Sequence, residues 1–270
     1  MSLTFAGLPF YDGIPDDAHA VILGIPYEHG ASGITGQAQA TTTIRDAGTW
    51  EDGIDELRRY NIYDLGDYAY GTRKLRKAIQ SAPLSVVMGG DDSINICVVE
   101  ALARIHGGLQ IVSLDAHLDV FDPQQELNHA SWLREAKERY LTKESPVYVA
   151  GVREIGTTKA NLKWCRCNGV TSVGDDLTVL NGISRKRPTL LAIDIDSIDP
   201  SFAPGVAYPE PFGFTSREVL SFVRSFLVSH NIVGLSITEV TPHRDINDTT
   251  AKLANRIILH SLMIWATVAM

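Results

Sequence analysis

A chain of 270 residues with 44% hydrophobic content carries enough apolar material for one large core, and residues 1–270 read as a single domain. The formal charge of −8 excludes nucleic acid and an anionic membrane surface as natural partners, since either is met with a basic face, and it favours a small cationic ligand. Three cysteines, Cys97, Cys165 and Cys167, are too few for a disulfide framework, which predicts a reducing, cytoplasmic setting.

Short β-branched runs punctuate the chain at 20–25, 61–65, 84–88, 110–115, 146–150, 169–173, 189–194 and 231–238, with longer amphipathic stretches between them. That alternation predicts βαβ units. Near-continuous runs such as LQIVSLD and LLAID predict strands covered on both faces, as in a parallel sheet. After the third run, Ser93 is placed to cap a helix carrying Ile94, Val98, Ala101, Leu102 and Ile105, which Gly107-Gly108 would end. Cys165-x-Cys167 has no second Cys/His pair at zinc spacing to accompany it. Thr215 with Glu218 forms a capping-box pattern before VLSFVRSFL. The greasiest stretch, 257–270, is interrupted by His260 and Ser261. It falls short of the ~20 apolar residues of a membrane span and predicts a buried or subunit-facing last helix.

In an open parallel sheet the ligand crevice lies at the carboxyl ends of the strands, and those ends are acidic here. The fourth run ends in Asp115-Ala116-His117-Leu118-Asp119 and the seventh in Asp194-Ile195-Asp196-Ser197-Ile198-Asp199-Pro200. If the strands persisted, the pleat would turn Asp115, His117 and Asp119 to one side, and likewise Asp194 and Asp196. A lone aspartate after a strand is ordinarily a turn former or a cap. A histidine inside an acidic string, matched by a second such string, instead suits a metal cluster, because converging carboxylates repel unless cations lie between them. Oxygen ligands with one imidazole point to manganese ahead of magnesium, iron or cobalt.

Four motifs in this order, Gly89-Gly90-Asp91-Asp92-Ser93, DAHLD, DIDSIDP with Phe202-Ala203-Pro204-Gly205, and Glu239-Val240-Thr241-Pro242, resemble those of the ureohydrolase (arginase and agmatinase) family. The loop Gly24-Ile25-Pro26-Tyr27-Glu28-His29-Gly30, with Gly36 and Ile44-Arg45, is similar to the family as well. The resemblance implies a three-layer α/β/α sandwich around an eight-stranded, mainly parallel sheet, assembled as homo-trimers or hexamers. It further implies two Mn2+ per chain. Asp115 and Asp194 would bridge them, Asp119 would complete the first site, and His117 and Asp196 the second. Relatives usually have histidine in Gly-Gly-Asp-His-Ser, whereas this chain has Asp92, so its first site would hold oxygen ligands alone. Asp91 would stand behind the ligands, and Ala40-Thr41 replaces the usual Gly-Pro before Ile44-Arg45.

The chemistry so implied is hydrolysis of a guanidino group in a small cationic substrate, with Asp119 relaying a proton, Glu239 pairing with the guanidinium and His129 as proton shuttle. His29 and His243 are candidates for the mouth. The stretch VFDPQQELN carries Asp122 and Glu126 and no lysine or arginine, so agmatine fits better than arginine, guanidinobutyrate or formimidoylglutamate unless Arg153 or Arg244 comes in from elsewhere. Two rival readings remain at this stage. One is a single-zinc deacylase of the related fold, which leaves Asp119, Asp196 and Glu239 without a reason; the other is a silent metal-binding scaffold.

Overall fold

The computed structural model describes residues 4–48, 57–123, 128–154 and 157–268. Eight strands form one sheet: β1 (Ala20–Gly24), β2 (Ile62–Asp67), β3 (Leu84–Met88), β4 (Gln110–Leu114), β5 (Val147–Ala150), β6 (Val170–Gly174), β7 (Thr189–Asp194) and β8 (Ile232–Thr238). Every pairing is parallel, in the order β2-β1-β3-β8-β7-β4-β5-β6.

Seven α-helices cover the sheet: α1 (Ala40–Asp46), α2 (Arg73–Ile79), α3 (Ile94–Ala103), α4 (Trp132–Tyr140), α5 (Lys159–Asn168), α6 (Ser216–Ser229) and α7 (Thr249–Val268). The unbroken apolar runs are explained by which core each side chain enters. In β1, Ala20 and Ile22 join the core under α1, α6 and α7, while Val21 and Leu23 join the core under α2 to α5. Two buried faces per strand leave no polar alternation to read. The architecture is therefore the α/β/α sandwich.

Local chemistry sets the helix ends. At α6 the capping box forms: Thr215 Oγ1 accepts from the Glu218 N–H at 3.2 Å, and Glu218 Oε2 accepts from the Thr215 N–H at 2.8 Å. At α3 the expected Ser93 cap does not form, because the Ser93 hydroxyl and N–H both donate to Asp91 Oδ1. That helix also stops at Ala103, leaving Ile105 exposed beyond it. The last helix is half-embedded, with Ile257, Ile258, Leu262 and Trp265 buried against the sheet. No helix among the described residues is long and apolar enough to cross a membrane.

Candidate metal centre

Parallel pairing sends all eight carboxyl ends to one edge, and four of the strands, β3, β8, β7 and β4, are consecutive neighbours there. Their last residues and following loops carry Asp91 and Asp92, Glu239, Asp194 and Asp196, and Asp115 to Asp119. Motifs far apart in sequence thus meet over the middle of the sheet. The pleat is not what aligns them, contrary to the persistent-strand expectation. β4 ends at Leu114 and the chain turns until Asp119 adopts a φ of 50°; after Asp194 a 3-10 turn runs Ile195–Ser197.

Two groups of side chains offer atoms within 4.8 Å of one another, Asp92-Asp115-Asp119 and Asp115-His117-Asp196. Asp115 belongs to both. His117 Nδ1 lies 3.0 Å from Asp196 Oδ2 and 3.7 Å from Asp115 Oδ1. Asp194 lines one cavity together with His117, Asp119 and Asp196, and its Oδ1 accepts the Asp196 N–H at 2.7 Å. Asp92 is held from one side, its Oδ1 accepting from the Thr238 hydroxyl and from Asn95 Nδ2 at 3.2 Å. Its Oδ2 is buried and, among the described residues, finds no donor other than the neighbouring Asp119 carboxyl. A buried carboxylate oxygen short of donors is what a cation site presents, so Asp92, Asp115 and Asp119 fit a divalent ion, and the carboxylates and imidazole of Asp115, His117 and Asp196 offer a second donor set.

The electrostatics agree. Burial, then the charges of the neighbouring carboxylates, raises Asp115, Asp119 and Asp194 well above the usual carboxylate range. Asp92 is pushed up to about 7 by burial and by Glu239. Burial opposes protonation of His117, but Asp196 outweighs it and raises the imidazole to about 9. So many carboxylates in one dry place hold protons unless cations replace them.

Beside this cluster stands a polar pair. Glu239, at a φ of 63°, follows β8 directly and is only 4% exposed. Its Oε1 accepts the Asp92 N–H at 3.0 Å and lies 3.0 Å from His129 Nδ1, and its Oε2 accepts from Gln37 Nε2 at 3.2 Å. His129 opens the 3-10 turn His129–Ser131 before α4 and is buried. Burial works against its protonation, and the hydrogen bond and charge of Glu239 prevail, raising it above its ordinary value. Both face a cavity of about 150 Å³ that His117, Asp119, Glu154, Asp194, Asp196 and Tyr208 also line.

The family model described as "Arginase family" matches residues 18–264. The chain belongs to the arginase family. Agmatinase of Escherichia coli (strain SE11) is 30% identical over 285 residues, an overlap covering 97% of this chain and 92% of that one. The solved structure of proclavaminate amidino hydrolase from Streptomyces clavuligerus matches with a TM-score of 0.87 at 27% identity, covering 99% of this chain and 98% of that one. Formimidoylglutamase from Bacillus subtilis, at 22% identity and a TM-score of 0.82, shares the fold, with 98% of this chain and 92% of that one covered.

In this arginase-family chain several sequence candidates take other places. His29 packs edge-on against Tyr27 at 5.3 Å and His243 packs beside Gly36; neither lines the cavity. Arg153 spends its guanidinium on backbone carbonyls, reaching those of Asp196 at 2.6 Å, Glu210 at 2.8 Å and Pro211 at 2.9 Å. It braces the Asp196 turn and is not free for a substrate carboxylate. Arg244 is exposed outside the cavity lining, and Glu126 lies outside the described residues. Cys165 is buried while Cys167 is exposed, so the pair does not share a site. Sequence reasoning missed Ser32, Gln37, Glu154, Tyr208 and Glu210, whose loops carry no metal-ligand pattern. Asp91 is turned to the β1–α1 loop, its Oδ2 accepting the Gly30 N–H at 2.8 Å.

Proposed function

We propose that this protein hydrolyses a guanidino group in a small cationic substrate, releasing urea, with agmatine as the preferred substrate and putrescine as the second product. The observation that carries this reading is the pair of ligand groups sharing Asp115, beside a cavity whose lining contains no lysine or arginine among the described residues. Asp92, Asp115 and Asp119 would hold one ion and Asp115, His117 and Asp196 the other, with Asp194 as a further carboxylate for the pair. Manganese suits that donor set. When bound, two divalent ions would supply the Lewis acidity that makes water a nucleophile near neutral pH.

The chain's own residues would do the rest. A carboxylate has about four lone-pair positions, and three on Glu239 are taken by Asp92, His129 and Gln37, so Oε2 keeps one open for a guanidinium N–H. A second, parallel bond to Oε1 would require His129 to release its hold. Asp119 borders the same space and would move the proton freed from water, and His129 would give one to the leaving amine. Glu154, together with Glu210 whose Oε1 lies 4.0 Å from His117 Nε2, gives the entrance a negative field that suits a second positive charge on the substrate. The single-domain, trimeric or hexameric and cytoplasmic expectations belong to the same proposal.

The test is product release with manganese added: urea from agmatine, arginine, guanidinobutyrate and guanidine, and formamide from formimidoylglutamate. Agmatine is expected to turn over fastest. Faster turnover of a carboxylate-bearing compound would overturn the substrate assignment, and no release from any guanidino compound would overturn the reaction. Elemental analysis of the active protein would expose the single-zinc alternative.

A further inference from the structure

The loop between β1 and α1 does not take part in the metal centre, yet it is fastened to it at several points. Glu28 Oε2 accepts the N–H groups of Gly36 at 2.7 Å and Ala38 at 3.2 Å, which folds the loop on itself. Asp91 grips the Gly30 N–H, and the Gly30 carbonyl in turn accepts the His129 N–H at 3.0 Å. Two residues on, Ser32 reaches the same histidine, with its Oγ 2.7 Å and its N–H nitrogen 3.3 Å from His129 Nε2. The Tyr208 hydroxyl, from the loop across the cavity, donates to the Ser32 carbonyl and lies 3.5 Å from its Oγ.

Direction follows from donor chemistry. Glu239 can only accept, so His129 Nδ1 donates to it; in the neutral ring Nε2 is then the acceptor, which suits the two donors of Ser32. The side chains run from Glu239, 4% exposed, through His129 at 9%, to Ser32 and Tyr208 at the surface. We propose that Ser32 is a positioning residue for the reaction, holding the His129 ring with Nδ1 on Glu239 and linking it through Tyr208 to the mouth of the cavity. A hydroxyl serves in both states of the ring, since it donates to neutral Nε2 and accepts from a protonated one.

The role in turnover rests on the reaction proposed above, so the test has one arm that needs no activity. In 15N spectra of the magnesium-loaded protein at alkaline pH, with His129 assigned by its loss in His129→Asn, Nε2 should resonate as a hydrogen-bonded, unprotonated nitrogen. In Ser32→Ala that resonance should move toward free imidazole, and in Ser32→Thr it should return. With manganese and agmatine, Ser32→Ala should lose about three- to tenfold in kcat with KM unchanged, the scale of one neutral hydrogen bond, and Ser32→Thr should recover it. An Nε2 resonance identical in the parent and Ser32→Ala would overturn the hold. A Ser32→Ala kcat equal to the parent's would overturn the role. A parent inactive on every guanidino compound would sink the proposed function while the spectra still decide what Ser32 holds.

Discussion

Asp92 shows how one side chain can be split between structure and chemistry. Its Oδ1 is tied to Thr238 and Asn95, its N–H to Glu239, and its buried Oδ2 finds no donor among the described residues other than the Asp119 carboxyl. The Asp92 carboxylate lies with those of Asp115 and Asp119, so Asp92→Asn would keep an acceptor toward Thr238 while setting an uncharged amide beside those carboxylates. The group Asp115-His117-Asp196 is untouched by that change. We expect manganese content to fall from two ions toward one per chain, with most of the urea release lost and the fold intact. Metal analysis across a manganese titration checks it; equal affinity for both ions in Asp92→Asn would remove Asp92 from the ligand set. Glu239 and Asp119 add a second residue-scale feature, since φ values of 63° and 50° are strained for residues with a Cβ. Such conformations cost roughly 1–3 kcal/mol and persist where surrounding contacts over-determine them, as the Gly90 carbonyl does by accepting the Glu239 N–H at 3.0 Å.

The β1–α1 loop depends at element scale on the absence of one side chain. A Cβ on Gly30 would lie 2.5 Å from Ser93 Oγ and 2.9 Å from Asp91 Oδ1, closer than packed atoms tolerate. Gly30→Ala should therefore lift the loop from Asp91, loosen Ser32 from His129 and lower stability by about 1–3 kcal/mol, as overpacking does. Gly182→Ala is the control, since nothing lies within 4 Å of its added Cβ. Denaturant titration of both variants reads the difference, and a Gly30→Ala midpoint equal to the control's would show that the loop can yield without cost. This element also marks where the sequence stops being legible. The strands could be read to within a residue or two because buried runs announce themselves, and DAHLD and DIDSIDP stood out because carboxylates and a histidine crowd behind strand ends. Ser32 and Tyr208 could not, since a serine and a tyrosine in loops acquire meaning only from what lies opposite. Ser93 was misplaced as a cap for a related reason: Asp91, two residues earlier, competes for its hydroxyl.

At the scale of the whole molecule, strand order is the fact that no local pattern supplies. The sequence β2-β1-β3-β8-β7-β4-β5-β6 brings four acidic loops to adjacent positions, so the fold itself concentrates negative charge at the centre of one sheet edge. This has a consequence for stability without metal. Asp115, Asp119 and Asp194 are raised well above the usual carboxylate range, first by burial and then by neighbouring carboxylates, Asp196 for Asp115 and Asp194, and Asp115 for Asp119, and Asp92 is raised to about 7. Between the ordinary carboxylate pKa of about 4 and those raised values, the folded chain binds more protons than the unfolded one, so stability falls as pH rises. His117, raised to about 9 by its pairing with Asp196 despite burial, contributes in the same direction: its stabilisation is present below about 6.5 and is lost through about 9. Metal binding has the opposite dependence, because each ion must displace the protons that these ligands hold. The melting temperature of the chelator-treated protein should therefore fall from about pH 5.5 to about pH 8, while the increment gained on adding manganese should widen over the same interval. Calorimetry with and without manganese at several pH values measures both. A manganese increment that stays constant or shrinks as pH rises would mean that the ions bind somewhere other than this proton-holding cluster.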